Sequence, residues 1–408
     1  MSEARTSAGA ATRIALVMLG MSALLNMYST QPILGEVARW AGVGVETAAW
    51  TVSATTAGVA LVAPWAGMLS DAWGRRRVIL SAVLAMALLG LPGLVVNNFW
   101  LLLAMRFAQG MCCPFIFAVV VAYLGEEYAA RQAARLNALY IAGTALGGFA
   151  GRMVAALVSG WTGQWRLSFL ANTVVLLVTW AVAWFFLPPE RRFVPQRWGR
   201  STAVTGLSPG SFLSRWRLPC TILVGATLLF QQTASFTFAS LRLGEPPFSL
   251  STSATGMVFL VFLLPMVTTP LSGRMMQRWG ELRVFVLFQL VGAVGIAVTL
   301  IPALPAMLCG LALSCVGVFA GQAAGTSMAG RLLPGARSAA VGWYLSGYYL
   351  GGALGAVAPG RWYAEEGWGA VVVILLATVA AGTALGGIAW AGRGPVRRSR
   401  VSTRRAGA

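Results

Sequence analysis

Histidine and lysine are absent from this sequence, and only 11 of its 408 residues are acidic. Without histidine, neither a Ser/His/Asp nor a Cys/His catalytic arrangement can form. The sequence also offers no paired-carboxylate site and no phosphate-binding glycine loop, because its glycine-rich stretches lie inside apolar runs. We therefore expect neither an enzyme nor a cofactor.

Cysteine is scarce as well. The five cysteines are odd in number, show no metal-ligand spacing and all fall within apolar runs, which favours packed thiols over a metal site. They are Cys112, Cys113, Cys220, Cys309 and Cys315.

Charge of either sign is rare: 10% of the residues are charged and 58% are hydrophobic. This composition is typical of an integral membrane protein. A span needs about 20 apolar residues, so the chain has room for about twelve, and in lipid they must be helices. The predicted spans are 13–34, 47–69, 78–96, 100–123, 137–159, 167–187, 219–240, 253–273, 284–301, 305–327, 339–359 and 369–391.

The net charge of +19 is distributed as expected for a membrane protein, not for a nucleic-acid partner. If the N-terminus is inside, 24 of the 30 arginines fall on cytoplasmic segments, and only Arg39, Arg166, Arg242 and Arg361 fall in external loops. Such asymmetry sets orientation, and the basic charge attracts an anionic bilayer surface. The sequence predicts a multi-pass protein of the bacterial inner membrane, with the tails 1–12 and 392–408 both cytoplasmic.

Two sets of residues recur in the same order about half a chain later, which indicates two related halves. One set of residues recurs 206 positions later: Gly67, Trp73, Gly74 and Arg77 match Gly273, Trp279, Gly280 and Arg283. A second set recurs at an offset of 204: Tyr140, Gly143, Gly147, Gly148 and Gly151 match Tyr344, Gly347, Gly351, Gly352 and Gly355. We predict two pseudo-symmetric six-helix bundles, 13–187 and 219–391, joined by a cytoplasmic linker, 188–218.

The charged turn 67–77, Gly-Met-Leu-Ser-Asp-Ala-Trp-Gly-Arg-Arg-Arg, lies between two apolar runs. It resembles the loop between helices two and three of the major facilitator superfamily and departs from that pattern only at Ala72, where a basic residue is usual. Other parts of the chain look most similar to the YnfM-like exporters among the drug/proton antiporter-type members. These are Tyr28…Gln31-Pro32-Ile33-Leu34, Arg106…Gln109-Gly110, Tyr140…Gly147-Gly148…Gly151-Arg152 and Leu187-Pro188…Glu190.

The resemblance implies a twelve-helix transporter whose two bundles rock about a central cavity. The expected function is export of a small organic molecule by alternating access with proton antiport, performed by a monomer. An uncoupled facilitator, or an exporter of sugars or organic anions, is the first alternative. A non-transporting membrane receptor on the same fold is the second.

The resemblance also implies a cytoplasmic lock in the turn. Asp71, together with Arg75 after the bend at Gly74, would bridge the two halves in the outward-facing form. Glu126 or Glu127, at the cytoplasmic end of helix four, is the expected partner of the loop arginines. From the residues alone, Asp71 would only cap the turn and the arginines would only set topology.

Two arginines fall inside predicted spans. At 1.5 Å per residue, Arg106 lies about 9 Å and Arg152 about 10 Å below the outer surface. An arginine within the membrane costs about 3 kcal/mol, so it usually faces a cavity or a partner. The family resemblance associates Arg106, in its pattern with Gln109, with proton coupling. For Arg152, snorkelling to the outer interface is the alternative.

Further polar and aromatic residues are candidates for lining the cavity, although packing is an equal alternative for each. Tyr140 and Thr144 share a helix face with Arg152. The remaining candidates are Asn26, Tyr28, Gln31, Gln231, Phe236, Gln322, Tyr344 and Tyr348. Two unpaired arginines would attract an anion, which predicts a neutral or anionic substrate in preference to a permanent cation. Alternatively, carbonyl oxygens and glutamine side chains satisfy both arginines, leaving an apolar cavity for neutral compounds.

Overall fold

The computed structural model describes residues 9–191, 216–332 and 337–391, and every regular element within them is a helix. The α-helices are α1 (Ala10–Met27), α2 (Leu34–Ala41), α3 (Val45–Ala48), α4 (Trp50–Val62), α5 (Ala66–Trp73), α6 (Arg75–Leu88), α7 (Phe99–Cys112), α8 (Pro114–Glu127), α9 (Ala130–Thr162), α10 (Leu167–Phe186), α11 (Arg217–Gly244), α12 (Thr252–Val258), α13 (Pro265–Trp279), α14 (Glu281–Val298), α15 (Leu304–Leu332), α16 (Arg337–Val357), α17 (Gly360–Glu366) and α18 (Trp368–Trp390). Short 3-10 helices occupy Gln31–Ile33, Leu91–Leu94 and Phe259–Leu263.

Within the described residues, ten helical segments are long and apolar enough to cross a membrane. An eleventh follows if the pair Val45–Val62 and Ala66–Trp73, bent by 60°, is one span. The remaining predicted span corresponds to α16, a 21-residue helix that is less apolar because it carries tyrosines and several glycines. The predicted all-α membrane architecture is confirmed. Most of the predicted linker 188–218 and all of the predicted tail 392–408 lie outside the described residues.

The first predicted span is not one continuous helix, and this is a correction. The α-helix ends at Met27, a turn follows at Tyr28–Thr30, and Gln31–Ile33 is a 3-10 helix leading into α2. Pro32 explains the break, because proline lacks an N–H and its ring clashes with the carbonyl four residues earlier. Tyr28 and Gln31 therefore lie beyond the end of α1. Breaks also precede Pro114 and Pro265, within the fourth and eighth predicted spans.

Glycine stripes set the closest helix contacts, and they do so in both halves. A Cβ on Gly143, Gly147 or Gly151 would lie within 2.2 Å of a carbonyl oxygen of α1, so α9 and α1 touch backbone to backbone. In the second half a Cβ on Gly351 would lie 2.0 Å from the carbonyl oxygen of Ala226, which brings α16 equally close to α11. Small residues permit such approach within a membrane. The internal sequence repeat thus corresponds to repeated packing.

Candidate functional site

The buried end of α1 is held by Arg106, which lies on α7 and is fully buried. Its guanidinium donates to the carbonyl oxygens of Asn26 (2.8 Å) and Met27 (2.9 Å), and to the side-chain oxygens of Asn26 (3.2 Å) and Gln109 (2.9 Å). Because α1 stops at Met27, its last carbonyls have no N–H partner within the helix. Arg106 supplies those donors and places a positive charge at the negative end of the helix dipole.

Arg152, on α9, lies in an aromatic box. Its guanidinium carbon is 4.4 Å from the ring centroid of Tyr28, 5.0 Å from that of Phe259 and 4.3 Å from that of Phe262. Its Nε donates to Gln31 Oε1 at 2.6 Å, and its Nη1 donates to the carbonyl oxygen of Gly148. The side chain is 1% exposed, so Arg152 does not snorkel to the surface.

Neither buried arginine pairs with a carboxylate in the part of the chain that the structure describes. Uncharged oxygens and aromatic faces surround both instead. Carbonyl and amide oxygens accept from both guanidiniums, but Arg106 Nε has no partner among the described residues, and the described hydrogen bonds of Arg152 come from Nε and Nη1 alone. Such partners stabilise the cations without neutralising their charge.

The two halves meet around Arg152. Gln31, which accepts from Arg152, donates its Nε2 to Thr237 Oγ1 on α11 at 3.0 Å. Phe259 and Phe262 of the box also belong to the second half. Toward the predicted external end, a Cβ on Gly256 would meet the Ala156 side chain at 2.2 Å. The halves are therefore closely packed there.

A second contact between the halves runs along α4 and α16. Ser53 Oγ donates to the carbonyl oxygen of Ala353 at 2.7 Å, and Ser346 Oγ donates to that of Ala60 at 2.6 Å. Tyr349, between Ser346 and Ala353 on α16, stacks on Phe117 of the first half with ring centroids 5.6 Å apart. Both serine hydroxyls donate to backbone carbonyl oxygens, so these hydrogen bonds join the two helices without an ion pair.

The other predicted cavity residues occupy several places. Tyr344 and Tyr348 stack 6.2 Å apart on α16, and Phe236 contacts Phe262 at 4.5 Å, next to the aromatic box. Gln231 and Thr144 instead bond within their own halves. Gln231 donates to Ser314 Oγ at 3.3 Å, and Thr144 donates to the carbonyl oxygen of Ile141 at 2.7 Å. Tyr140 is buried, and Gln322 on α15 is half-buried.

Sequence reasoning missed four residues of this junction, namely Thr237, Phe259, Phe262 and Tyr349. Phe259 and Phe262 could have been found from Pro265, because a proline at that position predicts an interrupted helix and exposed backbone before it. Thr237 and Tyr349 carry no local signal. Their roles depend on which helix face meets the other half.

At the predicted cytoplasmic end, Arg75 organises the charged turn. Its Nη2 lies 2.5 Å from Asp71 Oδ1 and 2.6 Å from Glu126 Oε1, and its Nε donates to Glu126 Oε2 at 3.2 Å. Its Nη1 donates to Ser70 Oγ. These partners all belong to the first half, so the lock between the halves remains a prediction.

The chain after α10 packs against the same charged turn, 67–77. Gly74 has φ +98°, a conformation that suits glycine, and the Glu190 carboxylate lies directly above it. Glu190 accepts from the backbone N–H of Arg76, and Arg76 Nε donates to the carbonyl oxygen of Leu187 at 2.9 Å. Glu127, the other predicted acid, accepts from the backbone N–H of Arg191 at 3.0 Å.

The corresponding place in the second half carries the same ion pair with the charges exchanged. Glu281 begins α14 and bonds Arg331 near the end of α15. In the first half, Arg75 begins α6 and bonds Glu126 near the end of α8. An acid in the first turn of a helix is favoured by the helix dipole, and a base in the last turn is too. The pseudo-symmetry therefore conserves the bridge between neighbouring helices but not its polarity.

Two helical halves that meet around a buried polar junction, within a bundle of membrane-length helices, define a multi-pass membrane protein. The sequence profile of the Major Facilitator Superfamily matches residues 16–246 and 246–407. The chain therefore belongs to the Major Facilitator Superfamily, which confirms the resemblance seen in its motifs.

Relatives and a solved structure agree. The chain is 28% identical over 353 residues to the uncharacterized MFS-type transporter YybF of Bacillus subtilis (strain 168), covering 86% of this chain and 87% of the relative. It is 27% identical over 373 residues to the inner membrane transport protein YnfM of Escherichia coli (strain K12), covering 89% and 87%. The chloramphenicol resistance protein CraA of Acinetobacter baumannii matches over 167 residues at 30% identity, 41% of this chain and 40% of the relative.

The fold also resembles a bacterial homolog of the human lysosomal transporter Spinster, solved in an inward-facing, unoccupied conformation. The TM-score is 0.73 at 14% sequence identity, and the match covers 93% of this chain and 96% of that one. At this identity the likeness concerns the fold alone.

Proposed function

We propose that this transporter exports a small, uncharged organic molecule across the bacterial inner membrane by alternating access, exchanging it for protons. We infer the substrate class from the uncharged groups that surround Arg106 and Arg152. A cationic drug would be repelled by both guanidiniums, because no carboxylate among their described contacts offsets the positive charge. The junction instead offers aromatic faces and amide groups, which suit an uncharged aromatic compound.

The relatives support export as the direction. One partial relative is named for resistance to chloramphenicol, an uncharged aromatic compound, and another is named as an inner membrane transport protein. An organic anion remains the second candidate, because the two buried arginines leave the junction with net positive charge. An anion would compete with Gln31 and Gln109 for the arginine that each one binds.

Transport by the purified protein in liposomes tests this proposal. The panel contains chloramphenicol, benzoate as an organic anion and a quaternary ammonium dye, each measured with and without an imposed pH gradient. We expect movement of chloramphenicol that responds to the gradient, and little movement of the dye. Efficient movement of the dye alone would reject the neutral substrate class.

Glu36 is our candidate for the proton-exchanging carboxyl. It lies on α2 near the predicted external end and accepts from Thr252 Oγ1, in the second half, at 2.7 Å. Its other carboxyl oxygen is buried and has no hydrogen-bond partner among the described residues. Protonation of Glu36 would change its hydrogen bond to Thr252, which joins the two halves. Separation of the halves would then be coupled to binding or release of a proton.

Glu36→Gln should therefore abolish the effect of the pH gradient on transport while downhill movement of the substrate continues. Glutamine keeps an acceptor for Thr252 but cannot exchange a proton. Glu46→Gln, on the neighbouring α3, is the matched control and should keep the gradient response. If the Glu36→Gln variant still uses the imposed pH gradient to accumulate substrate, the coupling belongs to another group, such as Asp71 or an acidic substrate.

The arginine asymmetry further supports an orientation with both termini and the loop 188–218 in the cytoplasm. Single cysteines introduced into that loop should react with a membrane-impermeant maleimide only after the cells are opened. The variants should start from a background in which the five native cysteines are replaced. Labelling of the loop in intact cells would reverse the assigned orientation.

A further inference from the structure

The box around Arg152 has the composition of a binding site for an organic cation. Three aromatic rings surround the guanidinium carbon at 4.3–5.0 Å, and the acceptors Gln31 Oε1 and Gly148 O complete the enclosure. Aromatic faces attract cations because their π systems are negative, and such cages recognise ammonium groups. The occupant here is a cation that the protein itself supplies.

The walls of the box come from both halves of the molecule. Tyr28 and Gln31 follow the break after α1, whereas Phe259 and Phe262 lie on the 3-10 segment between α12 and α13. Both sets of backbone are irregular, which lets the rings face one another across the interface. A ligand in this place would contact both halves at once, as a transported substrate must.

Arg106 shows that burial of an arginine does not by itself require such a box. It is equally buried, yet its recorded partners are the carbonyls that end α1 and two amide oxygens. Its function in the fold is explained by those carbonyls. The aromatic rings around Arg152 have no comparable task at a helix end.

We propose that Arg152 is a specificity-determining residue that fills an organic-cation site with a tethered guanidinium and so excludes ammonium and guanidinium compounds. The inference rests on the proposed function, in which the junction binds substrate, and it names the means by which cations are refused. A second cation would be repelled by Arg152 and would find no carboxylate among the described contacts of the box. Removing the side chain leaves the rings and oxygens without their cation.

The test is a gain of cation binding by the full-length protein purified in detergent. We compare wild type, Arg152→Ala, Arg152→Lys and the double variant Arg152→Ala/Phe262→Ala by thermal unfolding. The probe is tetramethylammonium chloride at 50 mM, against sodium chloride at the same ionic strength. A ligand that binds only the folded state raises Tm, so the measurement needs no transported substrate.

We expect tetramethylammonium to raise the Tm of Arg152→Ala by about 2 °C or more and to leave wild type unchanged. Arg152→Lys keeps a cation in the box and should not respond, and the double variant should lose most of the response because a wall is missing. Arg106→Gln, the matched buried arginine without rings, should not respond either. If Arg152→Ala does not remain monodisperse, Arg152→Gln removes the charge while keeping a hydrogen-bonding group, and the same comparison applies.

An equal Tm response of wild type and the charge-removing variant would overturn the proposal, and so would a well-folded variant that shows no response. Failure of the proposed function appears elsewhere, as absence of chloramphenicol movement in liposomes. Because the two readouts use different ligands and different measurements, either result can be obtained without the other.

Discussion

Replacing Arg106 with alanine should lower the free energy of unfolding by about 3–5 kcal/mol, because buried oxygens that it satisfies lose their donor. Three acceptors lose their donor: the carbonyl oxygen of Met27 and the side-chain oxygens of Asn26 and Gln109. The carbonyl oxygen of Asn26 still accepts from Ser29 Oγ at 3.0 Å. Each buried, unsatisfied acceptor costs about 1–3 kcal/mol. Relaxation of the amide side chains keeps the total below the sum.

Thermal unfolding in detergent measures this effect. Arg39→Ala is the control, because Arg39 is exposed on α2 and its loss should change stability by less than about 0.5 kcal/mol. Arg106→Lys should fall between the two, since a single ammonium cannot donate in the planar fork that reaches both α1 carbonyls. Equal Tm values for Arg106→Ala and Arg39→Ala would show that Arg106 does not hold the end of α1.

Asp71→Asn should reduce transport at least about 10-fold while insertion into the membrane remains intact. Asp71 is the only aspartate in the chain, and its carboxylate lies 2.5 Å from Arg75 Nη2. The variant keeps the two-point bond between Arg75 and Glu126, so the turn should fold. What it loses is the negative charge that the proposed lock between the halves requires.

The internal repeat supplies the control for this variant. Gln277 occupies the position equivalent to Asp71 in the second half, and it is already neutral and exposed. Gln277→Ala should therefore transport nearly as well as wild type at matched expression. Equal transport by wild type and Asp71→Asn would rule out the lock and leave Asp71 as a cap of the turn.

The exchanged polarity of the two ion pairs at the predicted cytoplasmic end explains why the two halves should respond differently. In the first half the acid at the end of α8 bonds the base that begins α6, and Asp71 shares that base. In the second half Glu281 begins α14 and bonds Arg331 directly. Among the described residues, only the first half places a second carboxylate on its bridging arginine, which is why the larger loss is expected there.

The amino-acid sequence by itself determined the membrane architecture, because lipid permits few solutions for a backbone. The apolar runs located the membrane-crossing segments but not their breaks at Pro32, Pro114 and Pro265, and the motif at 67–77 gave the family. The glycine stripe at Gly143, Gly147 and Gly151 marked the face that α1 contacts. These are local or periodic signals. In lipid an apolar segment must satisfy its own backbone hydrogen bonds, so it forms a helix whatever distant residues it later contacts.

Only the tertiary structure decided what the two buried arginines contact. From the sequence, Arg106 and Arg152 were two similar charges at similar depth. In the fold, one binds the carbonyls exposed where Pro32 interrupts the first span, and the other enters a box of rings from both halves. Partners more than 70 residues away, on helices whose rotation depends on packing, leave no periodic trace in the chain. The expected substrate charge therefore followed from tertiary contacts and not from composition.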